Sequence, residues 1–197
     1  EEALSLWERA EPAFLGERAG LVALNRGLIL RRLGRHEEAL LAFDRAFTLS
    51  PKQQSIYASI LSSLTTDQRP DTELAESTLR RALQHLSLDP EWKAYFALWT
   101  RLIALREGVS EPAIVTHLLE GLSAGKAWAG RLARFALGRM DRGDLIDSAE
   151  NKGERAEAHF YIALDALAKG QPESYRSELE AVIETDMVAF YEYEMAS

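Results

Sequence analysis

The chain has 197 residues, 47% hydrophobic and 27% charged, with 31 acidic against 23 basic side chains, a net charge of -8 and no cysteine. That length suits one continuous body burying roughly 70% of its unfolded-chain surface; the acidic excess argues against nucleic acid, since phosphate repulsion would have to be overcome locally; and the missing thiols exclude disulfides, thiolate zinc sites and a cysteine nucleophile while leaving the compartment open. No apolar run approaches the ~18 to 20 residues of a transmembrane helix, and no signal peptide opens the sequence, which at Glu1 reads as a mature or trimmed end.

In chain order, Ala3, Leu4, Leu6, Trp7 and Ala10 give one face of a short helix stopped near Pro12, expected to cap the first exposed face of the helices after it. Beyond Gly16, Ala23, Gly27 and Leu30 and then Ala39, Phe43 and Ala46 form two triplets spaced i, i+4, i+7, each on one side of a helix. With Gly34 between them, the spacing predicts two helices at 17–33 and 37–48 folded back antiparallel. After Pro51 comes a weaker pair, with Tyr57, Ile60, Leu61 and Leu64 on its first helix and Leu74, Ala75, Leu79, Ala82 and Leu86 on its second, joined by residues 65–70 and capped at Asp71 or Thr72.

Asp89-Pro90-Glu91 is a helix start with an acceptor at the cap, proline at the first helical position and a carboxylate near the dipole's positive end. Trp92, Tyr95, Phe96, Trp99, Leu102 and Ile103 give that helix a core-facing stripe ended at Gly108. Ser110 is expected to cap a helix through Ile114, Val115, Leu118 and Leu119, broken by Gly121 to Gly125. A segment from Trp128 through Leu132, Phe135 and Ala136 to Gly138 and a short one with Leu145 and Ile146 precede a last hairpin. There Ala158, Ile162, Ala163 and Ala166 face Tyr175, Leu179, Val182 and Ile183 across Gly170, and Tyr175 is expected to push the helices apart locally. Phe190, Tyr191, Tyr193 and Met195 read as a terminal covering helix. No stretch alternates with period two for the length of a strand.

Residues 21–51 resemble the tetratricopeptide repeat: small Ala23 and Gly27 at the helix crossing, Leu33-Gly34 at the turn, Ala39, Phe43 and Ala46 on the second helix and Pro51 closing the unit. Arg26 stands where that family usually has leucine, and His36 where it has an aromatic. The resemblance implies an all-α, right-handed superhelical solenoid of antiparallel helix pairs. We read residues 1–197 as a single domain: capping helix 1–16, two repeat hairpins in 17–88, divergent pairs in 89–150, and a C-terminal hairpin with capping helix in 154–197. From Asp89 to Ala196 the succession Trp92-Tyr95-Phe96-Trp99, Trp128-Leu132-Phe135, Leu137-Gly138, Leu145-Ile146, Glu157-Ala158-His159-Phe160-Tyr161 and Phe190-Tyr191-Glu192-Tyr193 also resembles the C-terminal half of new-lipoprotein-I-type bacterial tetratricopeptide lipoproteins. That implies a periplasmic, outer-membrane-anchored adaptor bringing proteases and cell-wall hydrolases together. The family's lipid-bearing cysteine is absent, so any membrane contact would come through an anchor outside this chain, and a cytoplasmic location is the alternative.

Several motifs imitate chemistry. Gly121-Leu122-Ser123-Ala124-Gly125 matches the G-x-S-x-G elbow, with Asp144 and His159 placed after it in hydrolase order, but the elbow needs a strand running into a strained turn and here a helix precedes it. Gly125-Lys126 lacks both the first glycine and the metal-binding hydroxyl of a phosphate loop. His36, His85, His117 and His159 never pair at i+3 or i+4, so no metal, cofactor or small-molecule substrate is expected and the protein is read as no enzyme. Arg131, Arg134, Arg139 and Arg142 would share roughly one face if that segment were helical throughout, opposite a C-terminal stretch with seven acidic residues.

In the resembled repeats the first helix of each hairpin lines the concave surface, which here would present Leu21, Leu24, Leu28 and Arg31 early and Phe160, Leu164 and Leu167 late. Members that bind chaperone tails hold a C-terminal carboxylate with a lysine and an asparagine, where this chain has Leu24 and Leu28. An apolar groove for a partner's helix or extended peptide is therefore implied. The second reading is a homo-oligomer formed through the aromatic C-terminal helix.

Overall fold

A computed structural model of the protein describes residues 17–188 and 191–196. The expected opening helix, Gly16 and Phe190 lie outside them. Among the described residues the structure is helical throughout, with no strand, and these residues divide into two compact units, one up to residue 69 with 73–87 and the other of 70–72 with those from 88 onward.

The first unit holds α1 (Glu17–Arg32), α2 (His36–Leu49), α3 (Gln54–Thr66) and α4 (Thr72–His85). α1 packs on α2 and on α3. The two backbones come close because Gly27 has no side chain: a Cβ there would fall 2.5 Å from Cε1 of Phe43, which with Ala39 and Ala46 is wholly buried. Gly20 makes a second close approach, a Cβ being 2.2 Å from Ser50 Oγ. Gly34 takes φ +74°, and the Arg35 N–H donates to Leu30 O while the Gly34 N–H donates to Arg31 O, so a left-handed residue closes α1 and reverses the chain. Phe47 of α2 stacks on Tyr57 of α3 at 5.0 Å and carries the Arg81 guanidinium of α4 over its ring. Tyr57 Oη donates to the Pro51 carbonyl at 2.7 Å. Tyr57, Ile60, Leu61 and Leu64 of α3 and Leu74, Ala75, Leu79 and Ala82 of α4 are buried as the second hairpin's pattern requires.

The second unit holds α5 (Pro90–Glu107), α6 (Ala113–Ser123), α7 (Trp128–Ala136), α8 (Arg142–Asp147), α9 (Lys152–Ala168), α10 (Pro172–Glu184) and α11 (Tyr191–Ala196). The Asp89 carboxylate accepts from the Trp92 N–H at 2.9 Å with Pro90 at the first position, as the sequence predicts. α5 has no single stripe: Ala94, Phe96, Ala97, Leu98, Trp99, Leu102 and Ile103 are buried around the helix, the mark of a central element. It packs on α6 and α7, while α9 packs on α7, α8, α10 and α11. Gly170, at φ +65°, ends α9 with the same pair of bonds as Gly34, Gln171 N to Ala166 O and Gly170 N to Leu167 O.

Two local expectations are corrected and a third holds. Ser110 does not cap α6; the helix begins after Pro112, because Glu111 precedes a proline whose ring disfavours helical backbone before it. The break expected over Gly121 to Gly125 falls inside that stretch, α6 ending at Ser123. On α10 the buried positions are Glu178 and Val182, one turn apart, while Ile183 is 42% exposed and Tyr175 only half-buried.

Candidate functional site

The seven groove residues fall into two groups. Leu21, Leu28, Leu164 and Leu167 are half-buried and still accessible. Leu24 is only 4% exposed and Phe160 2%, so both lie in the packed interior. Arg31 is also interior. Its Nε donates to Asp67 Oδ2 at 2.6 Å and its Nη2 to the Arg69 carbonyl at 2.6 Å, fastening the end of α1 to the loop between α3 and α4.

The four arginines do not share a helix face, because α7 stops at Ala136 and Gly138 turns the chain at φ +68°. Each is engaged within its own unit. Arg131 reaches the Ser148 carbonyl and Glu150 Oε1, Arg134 the Ser123 and Gly125 carbonyls, Arg139 Glu120 Oε1 at 3.0 Å, and Arg142 Glu178 Oε1. They fasten helix ends.

The hydrolase-like residues are likewise parts of the scaffold. Ser123 Oγ donates to the Glu120 carbonyl at the end of α6, the Asp144 N–H donates to Asp141 Oδ1 at the start of α8, and His159 Nδ1 lies 2.7 Å from Glu178 Oε2 across α9 and α10. Among the described residues no group of three or more His, Asp or Glu is arranged to hold a metal, and no helix is long and apolar enough to cross a membrane. An open, polar cavity of about 520 Å³ lies beside the start of α9, lined by Asn151, Lys152, Arg155, His159, Glu184 and Thr185 among others.

The least expected feature is a set of buried acids. Glu157 on α9 is 3% exposed; its carboxylate accepts from Tyr95 Oη of α5 at 3.0 Å and from Trp128 Nε1 of α7 at 2.6 Å. Glu192 on α11, also 3% exposed, accepts from Tyr161 Oη of α9 at 3.0 Å. Burial, then the neighbouring Glu192 charge, pushes the Glu157 carboxyl up to about 8 against the pull of the Trp128 and Tyr95 hydrogen bonds. Burial also raises Glu192 and drives the Tyr95 and Tyr161 hydroxyls far above their ordinary range. By sequence alone these acids pass for solvated charge. The available signal is spacing: Glu157 sits four residues before Tyr161, and Glu178 four before Val182, on faces that carry apolar side chains.

Fold and site together describe an all-α protein of packed helical hairpins, held by polar contacts inside its units. Residues 21–53, the whole of α2 with most of α1, match the family model described as Tetratricopeptide repeat, so the chain carries one such repeat where the Gly27–Phe43 crossing and the Gly34 turn lie. No curated protein matches the chain, and no solved structure does.

Proposed function

We propose that this protein is a non-enzymatic adaptor that binds a partner's helix or extended apolar peptide on the accessible leucines of its hairpins. The observation that carries the reading is the tetratricopeptide repeat at 21–53, since such repeats in general mediate protein–protein contacts. Leu21 and Leu28, two helical turns apart on α1, and Leu164 and Leu167 on α9 offer apolar side chains that packing leaves reachable, which suits capture of an apolar ligand face. The resemblance of residues 89–196 to the new-lipoprotein-I type supports a periplasmic setting with proteases or cell-wall hydrolases as partners. Self-association through the C-terminal helix is less well supported, because Tyr191 packs within the chain against Trp92 and Trp99.

A photo-crosslinking amino acid at position 28 or 164 of the full chain, in the native cell, tests this. The expected result is one discrete adduct at each position, with binding of that protein weakened at least about tenfold by Leu28→Glu at unchanged helicity, a loss of ~1.4 kcal/mol. Binding that survives Leu28→Glu and Leu164→Glu alike would refute the reading. Cell fractionation with an antibody to the chain decides the compartment.

A further inference from the structure

α11 has six residues, far below the length at which a helix stands alone in water, so its structure depends on what it is seated against. It packs on α10 and on α9, and two side chains add specific contacts. Tyr191 places its ring 6.2 Å from Trp92 and 5.2 Å from Trp99, both on α5. Glu192 goes into the interior beside α9, to the Tyr161 hydroxyl. Glu157 lies on α9 one turn before Tyr161, on the same face, so two acid side chains from different helices enter one water-excluded region.

The groups around the pair can be named helix by helix. α5 contributes Tyr95 and Glu91, α7 the indole of Trp128, α9 Tyr161, and the buried acid of α10, Glu178, is engaged elsewhere by Arg142 and His159. Among the described residues the side-chain hydrogen bonds that reach Glu157 and Glu192 come from neutral hydroxyl and indole donors, the Trp99 indole of α5 also acting on Glu192, and the further charge that acts on Glu157, Glu91, is itself acidic. With no cation at the pair among the described residues, two carboxylates buried together repel each other and forgo hydration, costs that protonation removes.

We propose that α11 is a proton-dependent latch: with Glu157 and Glu192 protonated it stays seated on α5 and α9, and ionisation of the pair drives it off, baring the aromatic rings of α5. The sign comes from proton counting. Seated, both carboxyls have raised affinity for protons; released, Glu192 returns to water and to the ordinary carboxylate range. The seated form therefore binds more protons, and raising the pH from that range through about 8, the value for Glu157, moves the equilibrium toward release. The latch is independent of the adaptor reading, because the contacts that seat α11 form with no partner present.

Amide hydrogen exchange of residues 191–196 in the full chain, at about pH 5, 7 and 9 and corrected for intrinsic rates, tests it. Protection of α11 should fall at least about tenfold from the lowest to the highest pH, the factor carried by a single unit of pKa difference. Glu192→Gln and Glu157→Gln, checked for native helicity, should each retain at high pH the protection the wild type shows at low pH, while Glu178→Gln should leave the wild-type fall in place. Should one glutamine variant fail to fold, the other together with the wild-type profile decides. Protection independent of pH, or the same fall in the wild type and in both Glu157→Gln and Glu192→Gln, would overturn the latch.

Discussion

The α1–α2 hairpin and the α9–α10–α11 region use one kind of turn and two kinds of interior. Both hairpins end their first helix on a left-handed glycine with the same pair of backbone bonds. Between α1 and α2 the space is filled by shape, Phe43 occupying the gap that Gly27 leaves, and the unit's buried guanidinium, Arg31, is met by the opposite charge of Asp67. Around α9 the interior admits Glu157 and Glu192, whose side-chain hydrogen bonds among the described residues come from neutral donors. The difference shows that a helical hairpin's fold specifies where its interior lies and leaves open whether that interior is filled by shape or admits acids.

Four experiments break or sharpen this contrast. The largest effect is expected from Phe43→Ala, which empties the α1–α2 interface and should cost about 3 to 5 kcal/mol in urea unfolding, with no dependence on pH. Next comes pH itself. Glu157 is raised from the ordinary carboxylate range to about 8, so its contribution is complete below that range and is lost as pH rises through about 8. Going from about pH 5 to 9 should remove stability on the order of 3 kcal/mol, read as a falling Tm that Glu157→Gln flattens and Phe43→Ala does not. Third, Gly27→Ala forces a methyl against the Phe43 ring and should cost about 1 to 3 kcal/mol. The smallest effect is matched across the units: Gly34→Ala and Gly170→Ala meet no atom within 4 Å and differ little in φ, so each should cost about 1 kcal/mol from backbone strain alone. A large difference between them would show that one turn carries a load the other does not.

Much of the fold was legible because hairpin chemistry is local. Helices expected at 17–33 and 37–48 are Glu17–Arg32 and His36–Leu49, and the Asp89-Pro90 start stands where its cap placed it. Errors arose where local signals competed, as when Ser110 offered a cap that the adjoining Glu111-Pro112 forbids. The interior acids were hidden because burial of a charge is settled by partners distant in sequence. Tyr95 lies 62 residues from Glu157 and Trp128 lies 29 away. The arginines do not share a face because that grouping requires continuous helix past Ala136, where Gly138 turns the backbone. Of the residues that the resemblance placed in a groove, the sequence could not separate accessible Leu28 from interior Leu24, since α1 packs against two neighbours, α2 and α3, rather than one.

The tether from Arg31 to Asp67 and the Arg69 carbonyl has a consequence for engineering the chain. Residues 67–69 read as part of a free connector, the sort of place where extra sequence is inserted without penalty, yet they are held by a side chain far upstream, Arg31 bonding Asp67 at 36 positions and the Arg69 carbonyl at 38. The first hairpin thus fixes the exit from α3, and a tag or domain spliced into that stretch would break the tether and loosen the end of α1.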